Sequence, residues 1–499
     1  MNQARRDLLK AIGALAAYPL PSKKPNILVF LTDDHAQWLQ QAYGNAEVKT
    51  PNLSRIAQNG VRLANAFTTT PVCSPARASF FTGLMPSQHG IHDWIEEKTQ
   101  AYAYPWLKDK TLISELLQQH GYHTGLVGKW HCGHERIPHP GFDFWFSYWE
   151  SQYPHSGQQH FSDNGQQRVE NGFQSPMLTD QALRFLRAHY AAPANRAHYA
   201  APANRAHYAA PANNDRPFFL FVGYTDTHSP HAEMPADLAA QYRSATFRDI
   251  PTEAFSPAHG RPLIPVSKNP DDERRKREQY YAAASSVDRE VGRLLDELAA
   301  RGELDNTLVV YTGDHGLNAG QHGMWEKGNA TVPQNFLEES IRVPCLLSWP
   351  AGGIPRNRES DLPVSHCDLF ATLLAAANAP FGSYKGPGQS YLAHLRGNAA
   401  ATWRNQVICE YGNARMIRAN GHKLILRYPY QGVTFPNELY DLKADPRETL
   451  NIYRESPLTK QMTNALNEFF ARYSNPQHSG LNLENQPLAT KASPWLVQK

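Results

Sequence analysis

No C-x-x-C pair occurs in this chain, and its five cysteines, Cys73, Cys132, Cys345, Cys367 and Cys409, are scattered and odd in number. That excludes a disulfide scaffold and a thiolate zinc site. Charge of one sign is missing too. The 49 basic and 46 acidic residues leave a formal net charge of +3 over 499 residues. No basic stripe is available for nucleic acid. The densest charged stretch, KNPDDERRKRE at 268–278, is mixed in sign. It reads as a solvated helix start: Asn269 caps, Pro270 fits the first turn, and the following acids suit the helix dipole. No segment reaches the ~18–20 uninterrupted apolar residues of a membrane span. With 41% hydrophobic and 19% charged residues, the composition is that of an ordinary globular protein with room for a large core.

Two segments stand outside that core. The N-terminus, MNQARRDLLKAIGALAAYPLPSKKPN, sets two arginines before a short apolar run and then prolines. Residues 1–23 are expected to be a twin-arginine export signal, with Ala14-Leu15-Ala16 as a cleavage site and the bacterial periplasm as destination. The unit RAHYAAPAN occurs three times in tandem, at 187–195, 196–204 and 205–213. A proline in each unit interrupts helix, and three short units cannot make a core. The repeat reads as a lengthened loop between a helix and a strand.

Four apolar runs with polar ends read as buried strands: NILVFLTDDH (26–35), YHTGLVGKWHCGH (122–134), PFFLFVGYTDTHSPH (217–231) and NTLVVYTGDHG (306–316). Helical patterns lie between them, at 50–60, 111–121 and 285–302. Alternating strands and helices predict an α/β fold: a large, mixed, mostly parallel sheet between helices, over 24–384. After about residue 385 the texture changes to short strands and one helix. A smaller C-terminal α+β subdomain with a short antiparallel sheet is expected over 385–499. Ligands bind beyond the carboxyl ends of parallel strands. Those ends carry Asp33-Asp34, Lys129 with His131, His228, and Asp314-His315.

Three carboxylates at one place repel unless a cation is present, and hard oxygen donors suit Ca²⁺ or Mg²⁺. His315 is a borderline ligand for such an ion. A metal beside Arg77, Lys129 and Lys327 suits an oxyanion such as sulfate or phosphate. His131 and His228 could divide acid and base roles. Cys73, in PVCSPARASFFTGL (71–84), fits neither a packing residue nor a thiolate well, because sulfur beside a hard cation is a poor pairing. The residues alone leave its role open.

Cys73-Ser74-Pro75-Ala76-Arg77 resembles the C-x-P-x-R signature of type I sulfatases, the formylglycine-dependent members of the alkaline phosphatase superfamily. NILVFLTDDH, TGLVGKWHCG, YTGDHGLNAGQHGMWEK, EESIRVPCLLSWP, VSHCDLFATLLAAA and ELYDLKADPRETLNI resemble further segments of that family, so the likeness spans 24–475. The Asp-His-Gly form at 314–316 resembles the iduronate-sulfatase branch. The resemblance implies an alkaline-phosphatase-like fold. It implies that a separate maturing enzyme oxidises Cys73 to formylglycine, whose hydrate attacks sulfur. It further implies that Asp33, Asp34, Asp314, His315 and residue 73 bind a divalent cation, usually Ca²⁺. Arg77 and Lys129 would hold the hydrate. His228 and Lys327 would contact the sulfate and assist the leaving oxygen, and His131 would act as the base that releases sulfate. The spacing to Pro230 favours His228 over His231. The implied substrate is a sulfate ester, with sulfated carbohydrate first. The alternatives are an aryl sulfate, a phosphonate monoester or phosphodiester, or a non-catalytic role in binding sulfated glycan. GIHDWIEE (90–97), with His92, Asp93 and Trp94, and the aromatic stretch 142–160 either line a sugar cleft or pack as core.

Because the nine-residue copies are identical and sit at an element boundary, deleting 187–204 is expected to leave folding and turnover intact. Loss of either, measured by thermal unfolding and substrate turnover, would contradict the loop reading.

Overall fold

The four apolar runs form the strands Asn26–Thr32, His123–Gly128, Phe218–Gly223 and Thr307–Gly313. They belong to a computed structural model that describes residues 23–149, 151–191, 216–251, 260–398 and 403–496. Residues 1–22 of the expected export signal and 192–213 of the repeat lie outside the described residues. Arg187–Tyr190 complete the helix Gln174–Tyr190.

The four strands are parallel and central in a ten-stranded sheet. Thr307–Gly313 pairs with Asn26–Thr32, then come Phe218–Gly223 and His123–Gly128. A fifth parallel strand, Phe144–Tyr148, follows. Antiparallel strands extend the sheet on both sides, Gln158–Asp163 and Gln166–Asn171 beyond the fifth strand, and Cys345–Ser348 beside Thr307–Gly313. The sheet is mixed but parallel at its centre, as expected.

Burial on both faces explains the unbroken apolar runs. Ile27, Val29 and Leu31 pack on one face with the helices Cys73–Thr82, Ile113–Gln119 and His366–Ala376. Leu28 and Phe30 pack on the other with Pro51–Gln58, Gln174–Tyr190 and Pro270–Ala300. The alternation follows from the two-residue period of a strand. The charged run and the amphipathic stretch after it form one helix of 31 residues, where the Asn269 side chain accepts from Asp271 N–H and Pro270 takes the first position.

The C-terminal region forms a four-stranded antiparallel sheet, Gln406–Tyr411, Ala414–Ala419, His422–Arg427 and Glu438–Asp441. The helix Pro457–Arg472 packs on it through Met462, Leu466 and Phe470. The chain then returns to the large sheet's loops. Glu96 N–H donates to Ala489 O at 3.0 Å, and Trp495 packs edge-on against Tyr411. Among the described residues, no helix is long and apolar enough to cross a membrane.

Buried ion pairs fasten the two regions. Lys423 Nζ lies 2.9 Å from Glu338 Oε1 and 2.6 Å from Glu448 Oε1. Beside them, His322 Nε2 lies 3.1 Å from Glu339 Oε2, tying the loop that carries Lys327 to the turn Glu338–Ile341. Burial would raise the Glu339 carboxyl, but the bond to His322 outweighs it and holds it at about 2. Burial would lower His322, and Glu339 raises it instead. A depressed carboxyl stabilises the fold above its ordinary value of 4.5 and loses that contribution as pH falls toward about 2. A raised imidazole stabilises below its ordinary 6.5 and loses that contribution as pH rises. Glu339→Gln is therefore expected to cost most stability near pH ~5.5, on the order of 1–3 kcal/mol, and less at pH ~3 or ~8.5. Thermal unfolding across pH checks this, and a loss independent of pH would contradict it.

Candidate active site

The five parallel strands end on one side, and each end delivers part of one site. Cys73 opens the helix Cys73–Thr82, which is buried along its whole length. Arg77 lies four residues on and shares its face. Pro75 falls in the first turn, where a missing N–H costs nothing. These constraints give physical sense to the C-x-P-x-R spacing. The strand His123–Gly128 must turn sharply to present Lys129: Gly128 has φ +91°, and a Cβ there would lie 2.2 Å from the Gly223 carbonyl oxygen.

Cys73 Sγ lies 3.3 Å from Asp33 Oδ1 and 3.3 Å from His315 Nε2. Ligand atoms of Asp33, Asp34, Cys73 and His315 all fall within 4.8 Å of one another. Asp314 stands beside this group. Its Oδ2 accepts from Arg77 Nε at 2.9 Å, and its Oδ1 accepts from the backbone N–H of His315 at 2.9 Å and of Asp34 at 3.3 Å. Lys129 pairs with Asp33. Lys327 Nζ is 2.7 Å from both oxygens of Asp34. Arg77 also donates to Lys129 O at 2.7 Å, while its Nη2 is buried with no hydrogen-bond partner. Asp34 and His131 both hold φ of 55°, a left-handed backbone that costs non-glycine residues about 1–3 kcal/mol and gathers at functional sites.

Burial governs the protonation of these groups, and neighbours decide between them. Burial would raise Asp33, but Lys129, His228 and Arg77 outweigh it and hold Asp33 well below the usual range. Burial pushes Asp34 well up in spite of Lys327 and His315. Burial and Asp33 raise Asp314. The Cys73 thiol is pushed up to about 12 by burial and by Asp33, so it is not a thiolate at neutral pH. Burial, with Lys129, drives His131 well down, and burial, with Lys327, does the same to His228. Both imidazoles are neutral at pH 7. His131 Nε2 lies 3.0 Å from Ile95 O, so Nε2 carries the proton, and the buried Nδ1 keeps an unpartnered lone pair. Such a pattern suits a base. His228 Nε2 sits 3.3 Å from Lys327 Nζ.

Cys73, His131, His228 and Lys327 line one open cavity of about 980 Å³. His231 does not line it. That ring is buried between Tyr280 and Trp325. Of the three residues expected to touch substrate, Trp94 lines the cavity and His92 and Asp93 do not. His92 Nε2 bonds the His478 carbonyl at 2.6 Å, and Asp93 accepts from Tyr411 OH at 2.9 Å. Both are taken up by the C-terminal region, His92 by its returning chain and Asp93 by its antiparallel sheet. The aromatic stretch 142–160 divides in the same way. Phe144–Tyr148 is a buried strand, and Gln152, Tyr153 and Pro154 face the cavity.

Residues 25–379 match the model of the family described as Sulfatase. The chain belongs to the sulfatase family. Residues 320–475 also match the C-terminal model of N-sulphoglucosamine sulphohydrolase. The N-acetylglucosamine-6-O-sulfatase of Bacteroides thetaiotaomicron is 28% identical over 498 residues, covering 88% of this chain and 84% of that protein. A structure of a protein bound to its substrate, D-glucosamine-2-N,6-O-disulfate, shares the fold at TM-score 0.70 and 24% identity, covering 90% of this chain and 98% of the other. So does the phosphonate monoester hydrolase of Agrobacterium radiobacter, at TM-score 0.68 and 20% identity, covering 90% and 96%.

Two residues of this sulfatase site were not singled out in the sequence: Glu135 carried no signal, and Tyr153 stood only as one aromatic of the stretch 142–160. Glu135, wholly buried and pushed up to about 7 by that burial, accepts from the backbone N–H of both Trp130 and His131. Tyr153 hydroxyl bonds His228 and accepts from Gln152 Nε2 at 2.9 Å. Tyr153→Phe removes a bond that orients His228. Turnover of a sulfate ester is expected to fall ~10-fold, the worth of about one hydrogen bond. The pH–rate profile should shift, with Tm unchanged. A wild-type profile would show that Tyr153 does not orient His228.

Proposed function

We propose that this sulfatase hydrolyses a sulfate monoester of a carbohydrate, using formylglycine made from Cys73 and a hard divalent cation, Ca²⁺ or Mg²⁺. The observation that carries the reading is the setting of Cys73, at the start of a buried helix with its Sγ 3.3 Å from both Asp33 Oδ1 and His315 Nε2, among carboxylates that suit a hard cation. Sulfur is a poor partner for a hard cation, and burial holds this thiol protonated in the metal-free site. The same position suits an oxygen nucleophile next to a hard ion.

The donor set fits such an ion. Asp33, Asp34, His315 and residue 73 would hold it, with Asp314 beside them. Bound there, a divalent cation supplies Lewis-acid stabilisation of oxygen charge. The formylglycine hydrate supplies one hydroxyl to attack sulfur and a second through which sulfate departs. Arg77 and Lys129 hold residue 73 and balance the charge on it. Lys327 binds a sulfate oxygen, and His228, bonded to Tyr153 and neutral in the free site, takes up a proton when the sulfate anion binds beside it and gives that proton to the leaving alcohol. His131 takes a proton at Nδ1, with its ring fixed through Nε2 on Ile95 O. We further infer that a separate enzyme matures Cys73 and that residues 1–23 export the folded protein to the periplasm. The sugar class rests on the named substrates of the relatives.

Sulfate release is expected from a panel of sulfated sugars and aryl sulfates when the protein is co-produced with a maturing enzyme. It should vanish in Cys73→Ala. Cys73→Ser lacks the second hydroxyl and should stop after about one turnover. Sustained turnover by Cys73→Ser would refute the formylglycine mechanism, and faster cleavage of phosphonate monoesters would reassign the substrate. Chelation should lower Tm and abolish turnover, and Ca²⁺ or Mg²⁺ should restore both.

A further inference from the structure

The cavity's charge is divided. Its basic lining groups, His131, His228 and Lys327, gather beside Cys73. The rest of the lining contains no lysine or arginine and carries Glu96, Glu97 and Glu233. A fourth acid, Glu326, is compensated by Lys327 at 3.6 Å. None of the other three makes an ion pair among the described residues. Glu96 is held in place by the returning chain, since Thr490 Oγ1 donates to its Oε2 at 3.3 Å. Two aromatic side chains share this lining, the half-buried Trp94 and Tyr153, which is 36% exposed. That the cavity receives a ligand is indicated separately by His131 Nδ1, buried in the same lining and without a partner.

We infer that the cleft selects sulfate monoesters whose alcohol part carries a protonated amine, such as an amino sugar with an unsubstituted amino group, and rejects multiply anionic glycans. This rests on the sulfatase reading above and names its substrate class. One sulfate is accommodated by the basic groups around Cys73. A second sulfate or a uronate lying along this lining would meet Glu96, Glu97 and Glu233 and no lysine or arginine of the lining, and like charges repel. An ammonium group gains twice, from the carboxylates and from the faces of Trp94 and Tyr153.

The test uses the matured, metal-loaded protein and three sugars: glucosamine 6-sulfate, N-acetylglucosamine 6-sulfate and glucosamine-2-N,6-O-disulfate. Their net charges fall from zero to minus two. kcat/KM is measured for each, or Ki against 4-nitrophenyl sulfate where a sugar is not turned over. The free amine should exceed the disulfate by ~30-fold or more, with the N-acetyl sugar between them. The ratio should shrink with added salt. In Glu96→Gln/Glu97→Gln/Glu233→Gln it should fall below ~5-fold. The single variant Glu233→Gln, at an exposed position, should narrow it in the same direction. A disulfate handled as well as the free amine, or a ratio unchanged in the variants, overturns the inference and leaves the sulfatase reading standing. No sulfate release from any of these esters, 4-nitrophenyl sulfate included, overturns both.

Discussion

Six formal charges are buried together at the carboxyl ends of the parallel strands, and the site depends on keeping them balanced. Asp33, Asp34 and Asp314 face Arg77, Lys129 and Lys327, all less than a twentieth exposed. Burying any one of them unpaired would cost several kcal/mol. Their pairing is close and nearly one to one: Arg77 with Asp314, Lys129 with Asp33, Lys327 with Asp34. Three against three sums to zero. A divalent cation on the carboxylates would turn that balance into a surplus of two positive charges, which is what a buried sulfate group needs around it. On this view the lysines have two uses. They neutralise the acids, and they are already at hand for an oxyanion.

The parallel sheet makes such a cluster affordable in backbone terms. Strands in parallel register end on one side, so one short step beyond each places a charged residue near all the others. The turns are tight. Gly128 is pressed against Gly223, and Asp34 and His131 adopt left-handed backbone. The sheet beneath them is fixed by packing on both faces, which holds that strain in place. Arg77 reaches the cluster from outside the sheet, on a buried helix whose first residue is Cys73.

Much of this was legible in the sequence because it is local. An apolar run ending in Asp-Asp or Gly-Asp-His states both the strand and the group at its end. The helix cap at Asn269 is similarly local. What could not be read depends on distant pairing. Tyr153 meets His228 across 75 positions. Glu135 is spent on two backbone N–H groups that no pattern marks. His92 and Asp93 looked available, yet His478 and Tyr411 take them, more than 300 residues away in sequence. The strand Phe144–Tyr148 was ambiguous for a different reason. It is buried on both faces, so it lacks the alternation that would separate a strand from an aromatic cleft.

Chemistry and selectivity therefore sit on different kinds of structure. The charged groups around Cys73 come from strand ends, the buried helix and the Lys327 loop that ion pairs fasten to the C-terminal region. The cavity beyond them is lined by loops at 94–97, 152–154, 229–233 and 263–264, and by Ala492 from the returning chain. That chain fixes Glu96 through Ala489 and Thr490. Loops of this kind can change residues without disturbing the balance of buried charge, because none of them contributes to it. A sulfatase sheet can then keep one reaction while its rim changes charge to suit another alcohol. In this chain the rim is acidic and aromatic, the opposite of what a polyanionic glycan requires, so selectivity follows from the charge the alcohol carries outside its sulfate group.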